Sequence, residues 1–354
     1  MQVFDTVSGL RTFLAAHRAA GKRIGLVPTM GYLHAGHLSL VHAARRECDV
    51  VVMSIFVNPK QFGPQEDFAT YPRDLEGDLR EAREAGVNAV FTPSVEEMYP
   101  PGFLTEVAVH ELTTPLCGAS RPGHFNGVTT VVAKLFNIVG PDHAYFGQKD
   151  YQQVTVLRKM ATDLCMPLEV MTCPIVREPD GLAMSSRNAY LNPAERQAAL
   201  VLSRALCLAE ERLAQGERQG ARLTAMLRDY IAKEPLARID YVAVCDPDTL
   251  QEVKQLSGTV LVALAVYIGK TRLIDNTVLR VRGQFDVTDA SYTSLSGCQP
   301  ELRDNPRPWD EQTSVSLPRH QSHMPQRLDI RMHVLIIALQ CLSEGTDADR
   351  SNSM

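Results

Sequence analysis

Two histidines three residues apart, His34 and His37, stand in the run Pro28-Thr29-Met30-Gly31-Tyr32-Leu33-His34-Ala35-Gly36-His37. The apolar residues 24–27 before it read as a short buried strand, Pro28 and Gly31 as turn punctuation, and the residues from Leu38 onward as a helix. A helix start of this kind offers unpaired backbone N–H groups and the positive end of a dipole, so it attracts an anion. Two imidazoles on or just before the first turn add donors aimed the same way. The simpler reading of an H-x-x-H spacing is a surface or capping pair, and the flanking glycines weigh against it. Zinc fits less well, because no third ligand stands at the right spacing and the Glu of a metalloprotease helix is missing.

A second cationic element is Met184-Ser185-Ser186-Arg187-Asn188. Two adjacent hydroxyls and a guanidinium fork can hold the outer phosphates of a nucleotide. Alone the segment would pass for an ordinary turn or cap, and beside a histidine pair it gains weight. Two common nucleotide signatures are absent. Gly269-Lys270-Thr271 ends like a P-loop, but Leu264 stands where the upstream glycine is required. No G-x-G-x-x-G follows the first strand, so a dinucleotide site is not supported.

The elements that must position these residues alternate. Strands are expected at residues 24–27, 50–56, 89–91, 144–146 and 168–171, and helices at 38–46, 75–85, 128–139 and 151–164. Such alternation implies a parallel sheet with crossover helices, whose ligands gather at the carboxyl ends of the strands. Three polar segments that follow strands, at Pro28, at Asn58-Pro59-Lys60-Gln61-Phe62-Gly63 and at Gly147-Gln148-Lys149-Asp150-Tyr151-Gln152-Gln153, should therefore converge on one cleft. From about residue 172 the pattern changes to a helical block, 193–232, followed by strands at 239–245 and 259–268, which suggests a smaller α+β domain. The expected division is 1–175, 176–283 and a tail, 284–354. The tail lacks lysine, is rich in Ser, Pro, Arg and Asp, and has one apolar patch at 334–339. It is expected to be disordered.

Length and composition bound the function. The 354 residues are 45% hydrophobic, enough for a sizeable core, and the net charge of -5 argues against a surface-wide nucleic-acid footprint. The eight cysteines, at 48, 117, 165, 173, 207, 245, 298 and 341, form no C-x-x-C pair, which fits reduced thiols in a cytoplasmic protein. No export signal is read at the N-terminus. The longest apolar run, 260–268, suits a buried strand and is about half of the roughly 20 residues that a membrane span needs.

In this setting the chain resembles the pantothenate synthetase (pantoate:β-alanine ligase) family, of the superfamily that shares the HIGH signature with class I aminoacyl-tRNA synthetases. The motifs that carry the resemblance, in order, are Pro28–Gly31 with His34–His37, Phe56-Val57-Asn58-Pro59 with Gln61-Phe62-Gly63, Tyr71-Pro72-Arg73, Arg121-Pro122-Gly123-His124-Phe125, Phe146–Gln153, and Gly181–Asn188; Thr271–Asn276 closes the set.

The resemblance implies a Rossmann-like parallel-sheet nucleotide-binding domain, a smaller α+β lid domain, ATP as co-substrate with Mg2+, and a homodimer. It implies that pantoate is adenylated and that β-alanine then displaces AMP. His34, His37, Asn58, Lys149 and Arg187 are then the catalytic set. Met30, His34, His37, Gly147, Lys149, Asp150, Val176, Met184, Ser185, Ser186 and Arg187 contact ATP, with Asp150 at the ribose. Gln61 and Gln153 take pantoate, and Asp78 matches an acidic position associated with magnesium, although Gly77 stands where relatives often carry another acid. Another nucleotidyltransferase of the superfamily would share the histidine turn, but the paired glutamines discriminate against it. A silent scaffold would have no reason to retain the whole polar set.

Overall fold

The computed structural model describes residues 1–64 and 66–281. The first part of the chain runs β1 (Gln2–Phe4), α1 (Val7–Ala19), β2 (Ile24–Thr29), α2 (Ala35–Glu47), β3 (Val50–Ile55), α3 (Leu75–Glu84), β4 (Ala89–Phe91), α4 (Val95–Met98), α5 (Cys117–Ser120), α6 (His124–Val139), β5 (His143–Gly147), α7 (Tyr151–Asp163) and β6 (Glu169–Cys173). The six strands form one sheet in the order β1-β4-β3-β2-β5-β6, and every described pairing in it is parallel.

Alternate residues of the central strands feed two cores. Ile24, Leu26, Val50 and Val52 pack with Leu10 and Leu14 of α1, Val132 and Phe136 of α6 and Leu157 of α7. Val27, Val51 and Met53 pack with Val41 and Ala44 of α2 and Ala82 of α3. The sheet is thus covered on both faces, which is why its strands read as unbroken apolar runs. From β2 the chain crosses through α2 to β3 on one side, whereas β5 lies on the other side and leads through α7 to β6. The crevice where those directions diverge, at the carboxyl ends of β2 and β5, is where open sheets of this kind receive ligands.

The second part comprises α8 (Pro193–Ala198), α9 (Leu200–Ala214), α10 (Gly220–Ile231), β7 (Ala237–Cys245), β8 (Gly258–Ile268) and β9 (Thr271–Val281), with the strands in one antiparallel sheet, β7-β8-β9. Val260, Val262, Leu264 and Val266 of β8 pack on the helices, while Leu261 and Ala263 pack on the opposite side with Leu116 and Leu250. Burial on both faces accounts for the apolar run. Gly269-Lys270-Thr271 lies at the β8–β9 hairpin, with Gly269 at φ 56°, so its likeness to a P-loop has no structural counterpart.

Two strands differ from expectation. β9 is a full-length strand that the pattern did not reveal, because Asp275, Asn276 and Thr277 are buried polar residues in its middle. β1, where no strand was expected, is three residues pairing with the distant β4. The helical block of 193–232 resolves into α8, α9 and α10. No described helix is long and apolar enough to cross a membrane. Among the described residues Cys48, Cys117, Cys165, Cys173 and Cys245 are free thiols. The expectation of a disordered tail over 284–354, with its apolar patch at 334–339, lies outside the described residues.

A close approach of two backbones shapes one wall of the cleft. α6 lies against the 3-10 turn Pro59–Gln61 at Gly127, whose carbonyl accepts from Asn58 Nδ2 at 3.0 Å. A Cβ at Gly127 would fall on the Lys60 carbonyl and the Gln61 amide. Gly127→Ala should therefore cost about 1–3 kcal/mol through overpacking. A urea midpoint equal to that of the parent would show that the two elements can part freely.

Candidate active site

The turn after β2 is built on two left-handed residues, Gly31 at φ 81° and Tyr32 at φ 52°. Asp78, on the first turns of α3, holds it: Oδ2 accepts from the Tyr32 amide at 2.9 Å and Oδ1 from the Leu33 amide at 2.7 Å. A side chain at Gly31 would lie against the same carboxylate. Burial pushes the Asp78 carboxyl upward, against the stabilising backbone hydrogen bonds. Ser186 Oγ donates to the Tyr32 carbonyl at 3.2 Å, tying the Ser185–Arg187 loop to the histidine turn.

His34 is the N-cap of α2, and its Nδ1 accepts from the Gly36 amide at 3.1 Å. The amides of His37 and Leu38 donate to the His34 carbonyl. The helix-start N–H groups expected to meet an anion are therefore largely used inside the turn. Because a backbone amide can only donate, His34 carries its proton on Nε2 when neutral. The His34 and His37 rings lie 4.0 Å apart between centroids. Burial, reinforced by Lys149, lowers His34 to about 4. Burial, His34 and Lys149 together lower His37 to about 3. Both imidazoles are thus neutral at neutral pH, and His37 Nδ1 is buried without a partner.

The other two polar segments come to the same place. Asn58, buried and at the N-cap of the Pro59–Gln61 turn, accepts from Tyr99 Oη at 2.8 Å and donates to Gln61 Oε1 at 3.0 Å. Gln61 Nε2 in turn meets Met30 Sδ at 3.2 Å. After β5, the two adjacent glutamines divide their duties. Gln152 is buried and spends its amide on Cys117 N, Leu112 O and Pro115 O, whereas Gln153 lines the cleft. Lys149 lies 3.8 Å from the Asp150 carboxylate. Asn276 of β9 fixes this turn by donating to the carbonyls of Gln148 and Lys149, both at 2.9 Å.

Arg187 sits on another 3-10 turn, Ser186–Tyr190, capped by the Ser185 side chain. Its Nε and Nη2 both meet Asp67 at 2.9 Å. Burial alone would lower the guanidinium, but the Asp67 carboxylate holds it above its usual value. A parallel pair lies one residue away, with Arg121 Nε and Nη2 on Glu66 at 2.7 and 2.6 Å. Arg121 and His124 also hold the Gln61 carbonyl, and burial with Arg121 lowers His124 to about 4. Arg121 and His124 were legible only as part of a motif. Asp67, Glu66 and Tyr99 carried no sequence signal, since their partners are distant in the chain, and Asn276 was legible only as the end of the motif Thr271–Asn276.

Met30, His34, His37, Asn58, Gln61, Gly147, Lys149, Asp150, Gln153, Val176, Met184, Ser185, Ser186 and Arg187 all line one cavity of about 240 Å³. It adjoins a larger one, of about 830 Å³, which shares Lys149, Asp150, Gln153 and Arg187 and is walled by β9. Asp78 stands apart: it lines neither cavity, and its oxygens are engaged by the histidine turn. Among the described residues no group of three His, Cys, Asp or Glu side chains is placed to hold a metal ion. Mg2+ commonly relies on substrate phosphates and water for most of its ligands.

The sequence profile of the pantoate-β-alanine ligase family matches residues 2–278. The chain is 60% identical over 281 residues to pantothenate synthetase of Moorella thermoacetica, covering 79% of this chain and 99% of that one. It is 59% identical over 279 residues to that of Pelotomaculum thermopropionicum, covering 79% and 99%. Among solved structures, pantothenate synthetase from Thermus thermophilus matches at a TM-score of 0.75 and 49% identity, covering 78% of this chain and 99% of that one. Pantoate-β-alanine ligase from Francisella tularensis, complexed with β-γ ATP and β-alanine, matches at 0.64 and 34%, covering 78% and 97%.

Two outcomes follow from this geometry. Because His34 and His37 are lowered when folded, the unfolded chain takes up protons below its ordinary 6.5 while the native state does not until about 4 and 3. Their contribution to stability is thus complete above 6.5 and falls as pH drops toward those values. Imidazole NMR titration should find midpoints near 4 and 3, and midpoints near 6.5 would show both rings solvated. Asp78→Ala should cost about 1–3 kcal/mol by stranding the Tyr32 and Leu33 amides. An unchanged urea midpoint would deny the latch.

Proposed function

The chain belongs to the pantoate-β-alanine ligase family, and from that premise we propose that it joins pantoate to β-alanine through an enzyme-bound pantoyl adenylate. A pantoate carboxylate oxygen attacks the α-phosphorus of ATP, and the bond to pyrophosphate breaks. The β-alanine amine then attacks the acyl carbon and loses a proton as the bond to AMP breaks, giving pantothenate. The observation that carries this reading is the single cavity that gathers two neutral imidazoles, Lys149 and the Ser185–Arg187 loop with Gln61 and Gln153.

The division of labour follows from the chemistry of those groups. Charge on the phosphates must be stabilised where it develops, and preorganised donors in a site shielded from water do so without reorganising. His34, with its proton on Nε2, offers a donor without adding a charge. Lys149 and Arg187 supply the positive charge, and Ser185 and Ser186 the hydroxyls. Gln61 and Gln153 orient pantoate as neutral amides, which spares the carboxylate a full ion pair that would blunt its attack. Val128, Val131 and Leu135 form an apolar wall suited to the geminal methyls of pantoate. Asp150 is assigned to the ribose hydroxyls, and Met30, Gly147, Val176 and Met184 to the lining of the nucleotide.

Magnesium belongs to the same proposal as an escort of the triphosphate, where it would neutralise phosphate charge; no protein-only ligand set is assigned to it. The reading also includes residues 1–175 as the nucleotide domain, 176–283 as a lid, a homodimer and a cytoplasmic setting. β-alanine and ATP occur in the name of the Francisella tularensis complex, which supports their place here.

With Mg2+, ATP, pantoate and β-alanine, the products should be pantothenate, AMP and pyrophosphate. Without β-alanine, labelled pyrophosphate should exchange into ATP only when pantoate is present. ADP and phosphate would overturn the adenylate. Lys149→Ala should slow adenylation about 10²-fold or more in single turnovers with the fold intact, and a rate within a few-fold of the parent would remove Lys149 from the chemistry.

A further inference from the structure

Asn58 lines the cavity, yet its amide faces inward and is fully engaged. Its Nδ2 donates to the Gly127 carbonyl and to Gln61 Oε1, both at 3.0 Å, and its Oδ1 accepts from the Lys60 amide at 3.3 Å and from Tyr99 Oη at 2.8 Å. The Gly127 carbonyl and the Lys60 amide force the same orientation, since a carbonyl can only accept and a backbone amide can only donate. The Tyr99 hydroxyl must then be the donor. Burial raises the phenol pKa, so the proton stays on it at neutral pH.

Polarity passes along this chain. Tyr99 donates to Asn58, Asn58 donates to Gln61 Oε1, and Gln61 is left with its –NH2 toward the cavity, where among the described residues it meets only the weak acceptor Met30 Sδ at 3.2 Å. A thioether is readily exchanged for a better acceptor. The Gln61 backbone is held independently by Arg121 and His124.

The Tyr99 ring is itself well fixed. Phe103 packs edge-on at 5.1 Å, and Lys60 and Lys134 lie 5.3 and 6.0 Å from the ring centroid. Cations on the ring face draw electron density from the phenol and strengthen its O–H as a donor.

We propose that Tyr99 is a positioning residue for the acyl substrate: through Asn58 it fixes the Gln61 amide so that the site presents a hydrogen-bond donor to the oxygens of pantoate. The proposal rests on the reading that Gln61 contacts pantoate. Without the hydroxyl, Asn58 Oδ1 keeps only the long contact from Lys60, the relay loosens, and Gln61 samples the flipped amide that offers pantoate an acceptor.

Tyr99→Phe tests the hydroxyl alone, because the ring and its contacts with Phe103 and the lysines remain. The KM for pantoate should rise about 3- to 10-fold, the worth of one hydrogen bond. The KM for ATP should stay within about twofold of the parent. The rise should shrink or vanish in a Gln61→Ala background, as expected of two residues acting through one contact. An unchanged pantoate KM in Tyr99→Phe, with Gln61→Ala raising it, overturns the relay and leaves the substrate assignment standing. So does an equal loss toward ATP and pantoate, or a Tyr99→Phe effect undiminished in the Gln61→Ala background. A Gln61→Ala variant with parental pantoate KM overturns the substrate assignment and the relay together.

Discussion

The cleft depends on two consecutive buried side chains of β9. Asp275, with its side chain 1% exposed, pairs with Arg177 through both oxygens, and Asn276 donates both of its amide hydrogens to the turn that carries Lys149. A buried carboxylate without a partner would be costly, as would an amide whose hydrogens found no acceptor. The antiparallel sheet can therefore pack well only with these contacts in place. They fix Arg177, which precedes the Met184–Arg187 loop and bonds to the Gly181 carbonyl ahead of it, as well as the Gln148–Asp150 turn. One pair of adjacent residues thus braces both the Lys149 turn and the segment leading to Arg187 from the side of the second sheet.

Charge in the cleft is balanced by geometry rather than by dilution in solvent. The loop residues Glu66 and Asp67 each take a guanidinium side-on, from Arg121 and Arg187 respectively. A guanidinium engaged through Nε and Nη2 still has N–H groups left, so the acid aims it without exhausting it. The imidazoles are treated the opposite way. With Lys149 close by and both rings partly buried, a protonated His34 or His37 would add like charge to a poorly solvated position, and both remain neutral. The site keeps permanent cations where it wants charge and uses histidine where it wants direction.

The alternation of strands and helices was legible because a sheet buried on both faces leaves long apolar runs, and the expected strands at 24–27, 50–56, 89–91, 144–146 and 168–171 each fall on an observed one. The convergence of the three loop segments was legible for the same topological reason. β9 was not, because the polar residues that make it important also erase its period. Tyr99 is 41 residues from Asn58, and Asp78 is 46 and 45 residues from the amides it holds. Single side-chain contacts at such separations leave no trace in local pattern. Motif position associated Asp78 with a metal, whereas its surroundings show where its oxygens are engaged in this fold.

At the histidine turn, the donors that the sequence suggests for an anion are ones the fold uses itself. A strand-to-helix junction predicts anion binding by backbone amides, but here His34 Nδ1 takes the Gly36 amide and the His34 carbonyl takes those of His37 and Leu38. The cap that consumes the amides also fixes the imidazole tautomer, so the lost backbone donor reappears as Nε2–H at the end of a rigid ring. A donor on a ring reaches farther from the helix than an amide does. In the proposed reaction it would meet phosphate oxygens lying in the crevice between β2 and β5 instead of those resting on the helix end. The small residue at position 36 belongs to the same device: Gly36 leaves room for the His34 ring to fold onto the Gly36 amide, since a Cβ there would collide with the ring.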